Sequence, residues 1–236
     1  MGASGEDDLA GLIDRSAFER DGAVHLGRRL ADFDIETLRT LADDRIGARP
    51  GARLTDESTL SALLTVTGAI GAAAASLTSA KARPVRAVLF DKSPGSNWLV
   101  AWHQDRTISV KARMDVEGFG PWSTKDGATH VAPPFAVLSR MVTLRVHLDD
   151  VEADNAPLRI AVGSHRLGRI EATEAARTAD QFETRTCLAN TGDIWAYRTP
   201  ILHASDRAGN ARRRRVLQVD YADFDLPGGL EWRGPC

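Results

Sequence analysis

Cysteine is nearly missing from this 236-residue chain, where only Cys187 and Cys236 occur. Two thiols, one of them the last residue, make no disulfide framework, and the expected setting is a reducing, cytoplasmic one. Net charge is nearly missing too. Against 32 Asp and Glu stand 30 Lys and Arg, a formal charge of -2. That balance offers no global pull toward nucleic acid or an anionic membrane. A strongly apolar run is also lacking. The stretch Leu60–Leu77 approaches spanning length, but Ala, Gly and Thr dilute it, and it reads as a buried helix. The start "MGASGEDDLAGLID" is acidic and lacks the basic and apolar regions of a secretory leader. Glu6 stands where a myristoylation motif wants Ser or Thr. Repeats, low-complexity segments and linkers are absent as well, so one domain over 1–236 is expected.

What is present divides in two. The first part, about 1–83, reads as helical with one short strand. Ser16 is the expected cap of a brief helix stopped by Gly22, before the apolar "AVHL". Asp34 is the expected cap of a second helix carrying Ile35, Leu38, Leu41 and Ala42, with Gly47 as its stop. A longer helix should start near Thr55 or Asp56. From about 84 to 225, short apolar runs alternate with turn residues, as in "PVRAVLFDK", "SRMVTLRVHLDD", "DIWAYR" and "RRRVLQVDYADF". Helices first and many short strands after suggest an α+β fold with a sandwich or small barrel. Residues 111–135, rich in Gly and Pro, are expected to form an irregular lid.

The run "VAWHQDRTISV" places His103 and Asp105 two residues apart in a strand-like stretch, so both should share one face. His203, at the end of the apolar "TPILH", is the candidate third ligand. Two imidazoles and one carboxylate form the facial triad of non-haem Fe(II) oxygenases, which leaves room for a bidentate oxoacid and O₂. An oxoacid with a second carboxylate needs a buried guanidinium fork, and "ARRRRVLQVDY" follows closely. A surface patch for nucleic acid is the blander reading of those four arginines, but four residues in a chain of this charge make a poor footprint. In "SRMVTLRVHLDD", Met141, Thr143, Arg145 and His147 face one way and Val142, Leu144, Val146 and Leu148 the other. Arg145 is weighed evenly between binding a substrate carboxylate and pairing with a barrel acid. His25 and His130 have no evident metal partners.

The motifs "LFDKSPGSNW", "WHQD", "RVHLDD", "GSHRLGRI", "ILHAS" and "RRRVLQVDY", in this order, resemble the phytanoyl-CoA dioxygenase family of Fe(II)/2-oxoglutarate oxygenases. The likeness runs from about Phe18 to the closing "LPGGLEW". It implies a double-stranded β-helix (jelly-roll, cupin-like) core with flanking N-terminal helices. It also implies His103, Asp105 and His203 as iron ligands, with 2-oxoglutarate and O₂ as cosubstrates. The family spacing from the second histidine and to a later tyrosine, here His203 and Tyr221, selects Arg214 for the far carboxylate. Strand alternation then turns Arg213 and Arg215 away. The likeness further implies that Thr143 touches 2-oxoglutarate, that Lys92 and Trp122 contribute to the pocket, and that His165 is structural. Two turns depart from the family pattern, at Ala156 in "NAPL" and Val162 in "VGSH". Asp105 is present where related halogenases carry a small residue, so oxygenation is expected. The implied reaction is hydroxylation of an unactivated C–H bond in a small metabolite or natural-product intermediate, with release of succinate and CO₂. Its competitors are a cupin-like isomerase or dioxygenase that uses no 2-oxoglutarate, and a catalytically silent binding protein. A nucleic-acid demethylase is disfavoured by charge. The expected partner is a small molecule, neither nucleic acid nor membrane.

Overall fold

The computed structural model describes residues 13–47, 49–209 and 212–235. The acidic N-terminal stretch as far as Leu12, Cys236, and Asn210 and Ala211 of the turn after His203 lie outside the described residues. In chain order the strands are β1 (Ala23–Arg28), β2 (Gly51–Leu54), β3 (Arg83–Lys92), β4 (Val100–His103), β5 (Ile108–Val110), β6 (Trp122–Lys125) and β7 (Ala128–Val131). They continue as β8 (Val142–His147), β9 (Leu158–Ala161), β10 (Thr184–Cys187), β11 (Asp193–Arg198), β12 (His203–Ser205) and β13 (Arg214–Ala222). A six-stranded sheet runs β1-β11-β8-β13-β3-β2, and a four-stranded sheet runs β10-β9-β12-β4. Every pairing in them is antiparallel. The two sheets face each other, as Leu158 and Ile160 of one pack with Trp195 and Tyr197 of the other. This is the expected α+β jelly roll.

Period-two patterning decides which side of the larger sheet meets the helices. Val142, Leu144 and Val146 of β8, Leu217 and Val219 of β13, and Leu89 of β3 point outward. They pack beneath α1 (Arg15–Asp21), α2 (Asp32–Ile46) and α4 (Ala69–Leu77), which follows the single turn α3 (Ser61–Leu64). Leu38, Ile46, Ile70 and Leu77 from the helices close this layer, each no more than 2% exposed. Burial of such a side chain contributes about 1.5–3 kcal/mol, enough to fix the register of every strand beneath. The alternate residues, Thr143, Arg145 and His147 among them, are thereby forced into the space between the sheets.

The boundary at residue 83 is softer than expected, because β1 and β2 leave the helical part to become the two edges of the larger sheet. Asp14, not Ser16, caps α1 by accepting from the Ala17 amide at 2.8 Å. The second helix starts two residues before Asp34 and has no side-chain cap; Asp32 and Asp34 face its positive end instead. The long helix expected from Thr55 is broken after Leu64, and a Cβ on Gly68 would lie 2.0 Å from the Ala62 carbonyl. No single helix among the described residues is long and apolar enough to cross a membrane. The pair Ser58–Leu64 and Ala69–Leu77 passes together only with a 48° bend. Its apolar residues belong to the core under the larger sheet.

Residues 111–135 are also more regular than expected. β6 and β7 form a hairpin closed by Asp126 and Gly127, both at positive φ, and β5 pairs along β7. Val110, Val131, Leu138 and Trp232 bury one side of this small sheet. Its tip, at Lys125 and Asp126, borders the space between the two large sheets.

Candidate metal centre and its cavity

His203 lies directly across from His103 in the β12–β4 pairing, and the two rings stand 4.2 Å apart between centroids. β4 ends at His103, so Asp105 sits in the loop that follows and not in the strand predicted for it. Gln104 nevertheless turns away as alternation required. Its amide donates to the Gly168 and Pro200 carbonyls at 2.9 and 2.8 Å. Asp105 is left facing the histidines. One ligand atom from each of His103, Asp105 and His203 lies within 4.8 Å of the others.

The tautomers follow from the hydrogen bonds. His103 Nδ1 is 2.8 Å from the Ala101 carbonyl, and His203 Nδ1 is 2.9 Å from the Ile201 carbonyl. A carbonyl can only accept, so each Nδ1 carries a proton and each Nε2 is the nitrogen left to face a metal. Burial first, then the neighbouring His103, push His203 down to about 4, with Asp105 pulling the other way. His203 is therefore neutral near pH 7, the form that ligates. Burial alone would raise the Asp105 carboxyl, but the Arg86 guanidinium, helped by the imidazoles and Arg145, holds it below the usual carboxylate range. Arg86 Nη2 and Gln218 Nε2 both lie 3.3 Å from Asp105 Oδ2, which leaves Oδ1 for a metal. Two imidazoles, each held through Nδ1 by a backbone carbonyl, and one ionised carboxylate just past the end of β4 fit a divalent first-row ion with open coordination positions.

The triad borders a cavity of about 670 Å³ between the two large sheets. Lys92, Arg145 and Arg214 line it from the larger sheet. The arginine run resolves residue by residue. Arg212 meets Glu152 and Asp154, Arg213 meets Asp43 and Asp91, and Arg215 meets Asp43 and Asp149. Arg214 alone of the four points inward, 2% exposed, with Nη1 donating to the Ala156 carbonyl at 2.6 Å and Nε without a partner. Burial, then Arg145, pull its guanidinium down to about 9. Lys92, opposite Arg214 in the β3–β13 pairing, donates to Ser205 Oγ at 3.0 Å and the Asp206 carbonyl at 2.5 Å. Burial, then Arg214 and Arg145, pull it down to about 7. Arg145 donates to Gln218 Oε1 at 3.1 Å, and no carboxylate pairs with it among the described residues. The alternative of an ion pair between Arg145 and a barrel acid is therefore not found among the described residues.

Two expected site residues lie elsewhere. Thr143 is buried in the barrel but does not line the cavity; its hydroxyl donates to Asp220 Oδ1 at 3.0 Å and lies 3.0 Å from Thr199 Oγ1. Trp122 packs on the far side of the small sheet beneath Arg113, outside the cavity. His165 stands against Gly22 at the end of α1, where a Cβ would lie 2.2 Å from its Nδ1. His25 meets Asp193 at 3.1 Å and stacks on Trp195. His130 is buried with Nε2 unpartnered, and both ring nitrogens of His147 are unpartnered.

Three residues were missed. Arg86 bridges Asp105 and Asp220, with Nε donating to Asp220 Oδ2 at 2.5 Å. Gln218 links Asp105 to Arg145. Alternation along "RRVLQVDY" puts Gln218 and Asp220 on Arg214's face, and alternation along "RAVLFDK" puts Arg86 on that of Lys92. Both signals were in reach.

Comparison with known proteins adds to this geometry. A family model described as Phytanoyl-CoA dioxygenase (PhyH) matches residues 18–216. An L-proline trans-4-hydroxylase of Streptomyces griseoviridis is 27% identical over 153 residues, 54% of this chain and 48% of that protein. The chain thus spans about half the length of that curated relative. Among solved structures, the non-heme alpha ketoglutarate dependent carbocyclase SnoK from nogalamycin biosynthesis superposes with TM-score 0.65 at 16% identity, over 99% of this chain and 90% of that one. The epimerase SnoN in complex with Fe3+, alpha ketoglutarate and nogalamycin RO gives TM-score 0.64 at 17% identity, over 91% and 89%. At such identities these two likenesses speak for the fold.

Proposed function

We propose, from the premise that this chain belongs to the phytanoyl-CoA dioxygenase family, that it is a non-haem Fe(II)/2-oxoglutarate-dependent oxygenase. Its reaction is hydroxylation of an unactivated C–H bond in a small metabolite or natural-product intermediate, with release of succinate and CO₂, and residues 1–236 act as one catalytic unit. One observation carries the reading: a His-Asp-His triad and a buried guanidinium without a carboxylate partner among the described residues share a single cavity. A cupin-like enzyme that ignores 2-oxoglutarate has no use for that guanidinium, and a silent binding protein has no use for the triad.

In this reading His103 and His203 offer their Nε2 lone pairs and Asp105 its Oδ1. Iron held there, with 2-oxoglutarate and O₂, supplies the oxidising power that an unactivated C–H bond requires. Everything else falls to the chain. Arg86 and Gln218 fix the Asp105 carboxylate by its other oxygen. Arg214, with Lys92 beside it, receives the far carboxylate of the cosubstrate and so fixes how far the oxoacid reaches toward the triad. Val88, Phe90 and Leu158 give the cavity apolar walls. The hairpin tip at Asp126 borders it and is tied to β2 by an Arg53 Nη1–Asp126 Oδ2 pair at 2.6 Å.

Relatives of this fold include an epimerase and a carbocyclase by name, so the fate of the substrate carbon must be read from the product. A library of small metabolites, incubated with Fe(II), ascorbate and 2-oxoglutarate, is scored for succinate and for a product heavier by one oxygen. Substrate-dependent succinate with an oxygenated product supports hydroxylation. Succinate with an isomeric or cyclised product points to the other outcomes. A substrate turned over without 2-oxoglutarate would remove the reading.

A further inference from the structure

On the larger sheet, two cavity guanidiniums, those of Arg145 and Arg214, have no carboxylate partner among the described residues. We propose that they divide a dianionic oxoacid between them: Arg214 takes the far carboxylate and Arg145 the carboxylate on the metal side. The proposal rests on the oxygenase reading above and deepens it. It also moves Arg145 from the prime substrate to the cosubstrate.

Strand register shows where the second guanidinium goes. Arg145 is paired with Gln218 of β13, and Gln218 is paired on its other side with Val88 of β3. One inward-facing step closer to Arg214, Val216 is paired with Phe90. The Arg145 guanidinium carbon lies 5.7 Å from the centre of the Phe90 ring. Its side chain therefore crosses β13 from β8 and leans toward the Arg214 end of the cavity. At the same time Nη1 stays on Gln218 Oε1 at 3.1 Å, and the other end of Gln218 is 3.3 Å from Asp105. The guanidinium thus stands between Arg214 and the triad, one amide away from the candidate ligand.

Charge supports the same division. Arg145 is 6% exposed, and its Nε is buried with no partner. It is close enough to Arg214 and Lys92 to depress both, after burial has done so. Arg145 and Arg214, buried side by side with no carboxylate paired to either among the described residues, are costly until an anion arrives. A monoanionic oxoacid would satisfy one guanidinium; a five-carbon diacid satisfies both. Arg offers two parallel N–H donors to a carboxylate, and Lys does not.

The test separates the two ends of the acid. The Mn(II)-loaded full chain is titrated calorimetrically with 2-oxoglutarate and with 2-oxobutyrate, which keeps the 1-carboxylate and 2-oxo group but has no second carboxylate. Arg145→Gln should weaken both acids by roughly tenfold to a hundredfold, as expected for a lost charge-assisted bond. Arg214→Gln should weaken 2-oxoglutarate alone. Arg145→Lys, the gentler change, should fall between wild type and Arg145→Gln for both acids. Unchanged Mn(II) affinity reports an intact triad in each variant. If Arg145→Gln leaves both acids at wild-type affinity, or weakens only the diacid, the division is wrong. A wild-type chain that binds Mn(II) but no 2-oxoglutarate overturns the oxygenase reading itself, and this proposal with it.

Discussion

Replacing Arg214 with Met should make the protein more stable while nearly abolishing its hold on 2-oxoglutarate. The guanidinium is 2% exposed and meets a carbonyl, not a carboxylate. Exchanging buried charge for an apolar side chain of similar volume is often stabilising by roughly 1–4 kcal/mol, and here no partner charge is stranded. A gain of about 1–2 kcal/mol corresponds to roughly 2–8 °C in Tm for a chain of this size. The pH sign is fixed by the lowered guanidinium. Its cost is fully present below about 9 and fades as the pH rises through that value, so the advantage of Met should narrow above it. The effect on binding runs the other way. Losing one member of a buried ion pair costs about 3–5 kcal/mol, or two to four powers of ten in affinity. Thermal melts with Mn(II), with and without 2-oxoglutarate, read both quantities. At a hundred times its Kd the cosubstrate should stabilise wild type by about 2.7 kcal/mol and leave Arg214→Met almost unmoved. A variant that is less stable than wild type without cosubstrate, or that keeps the cosubstrate shift, refutes the assignment.

Asp105→Ala should lower Mn(II) affinity by more than about a hundredfold in calorimetry and abolish succinate formation; tight residual binding would mean that the carboxylate is not a ligand. Lys92, lowered to about 7, must be an ammonium to serve an anion. The affinity for 2-oxoglutarate should therefore be flat below pH 7 and fall by up to about tenfold per pH unit above it, and Lys92→Met should remove that slope. Gly22 closes α1 at φ +78°, with His165 Nδ1 2.2 Å from where a Cβ would stand. Gly22→Ala should cost roughly 1–3 kcal/mol in denaturant unfolding and leave metal affinity unchanged.

The triad is legible because its chemistry needs few residue types, although Asp105 falls in the loop just after β4. His103, read inside a strand, ends β4, and His203, read at the end of a strand, begins β12. Alternation assigns Arg214 inward with Arg213 and Arg215 outward, as their acid partners bear out. The face of Thr143, Arg145 and His147 followed from the same rule. Alternation gives a face but not a reach. Thr143 is too short to leave Asp220, whereas Arg145 is long enough to cross a strand. Trp122 rests on likeness alone, and the "KDG" turn closes a hairpin that packs it on the small sheet outside the cavity. The N-terminal helices were found by apolar spacing, but their caps and the break after Leu64 depend on close backbone contacts that no one-dimensional pattern contains.

The most direct measurement is an ordered titration of the metal-free full chain, first with Mn(II) and then with 2-oxoglutarate. One metal should bind per chain, and His103→Ala, Asp105→Ala and His203→Ala should each weaken it by orders of magnitude. The oxoacid should then bind tightly only after the metal, and only where Arg214 is present. Undiminished metal binding in all three variants, or 2-oxoglutarate binding equally well without metal, would contradict the proposed function.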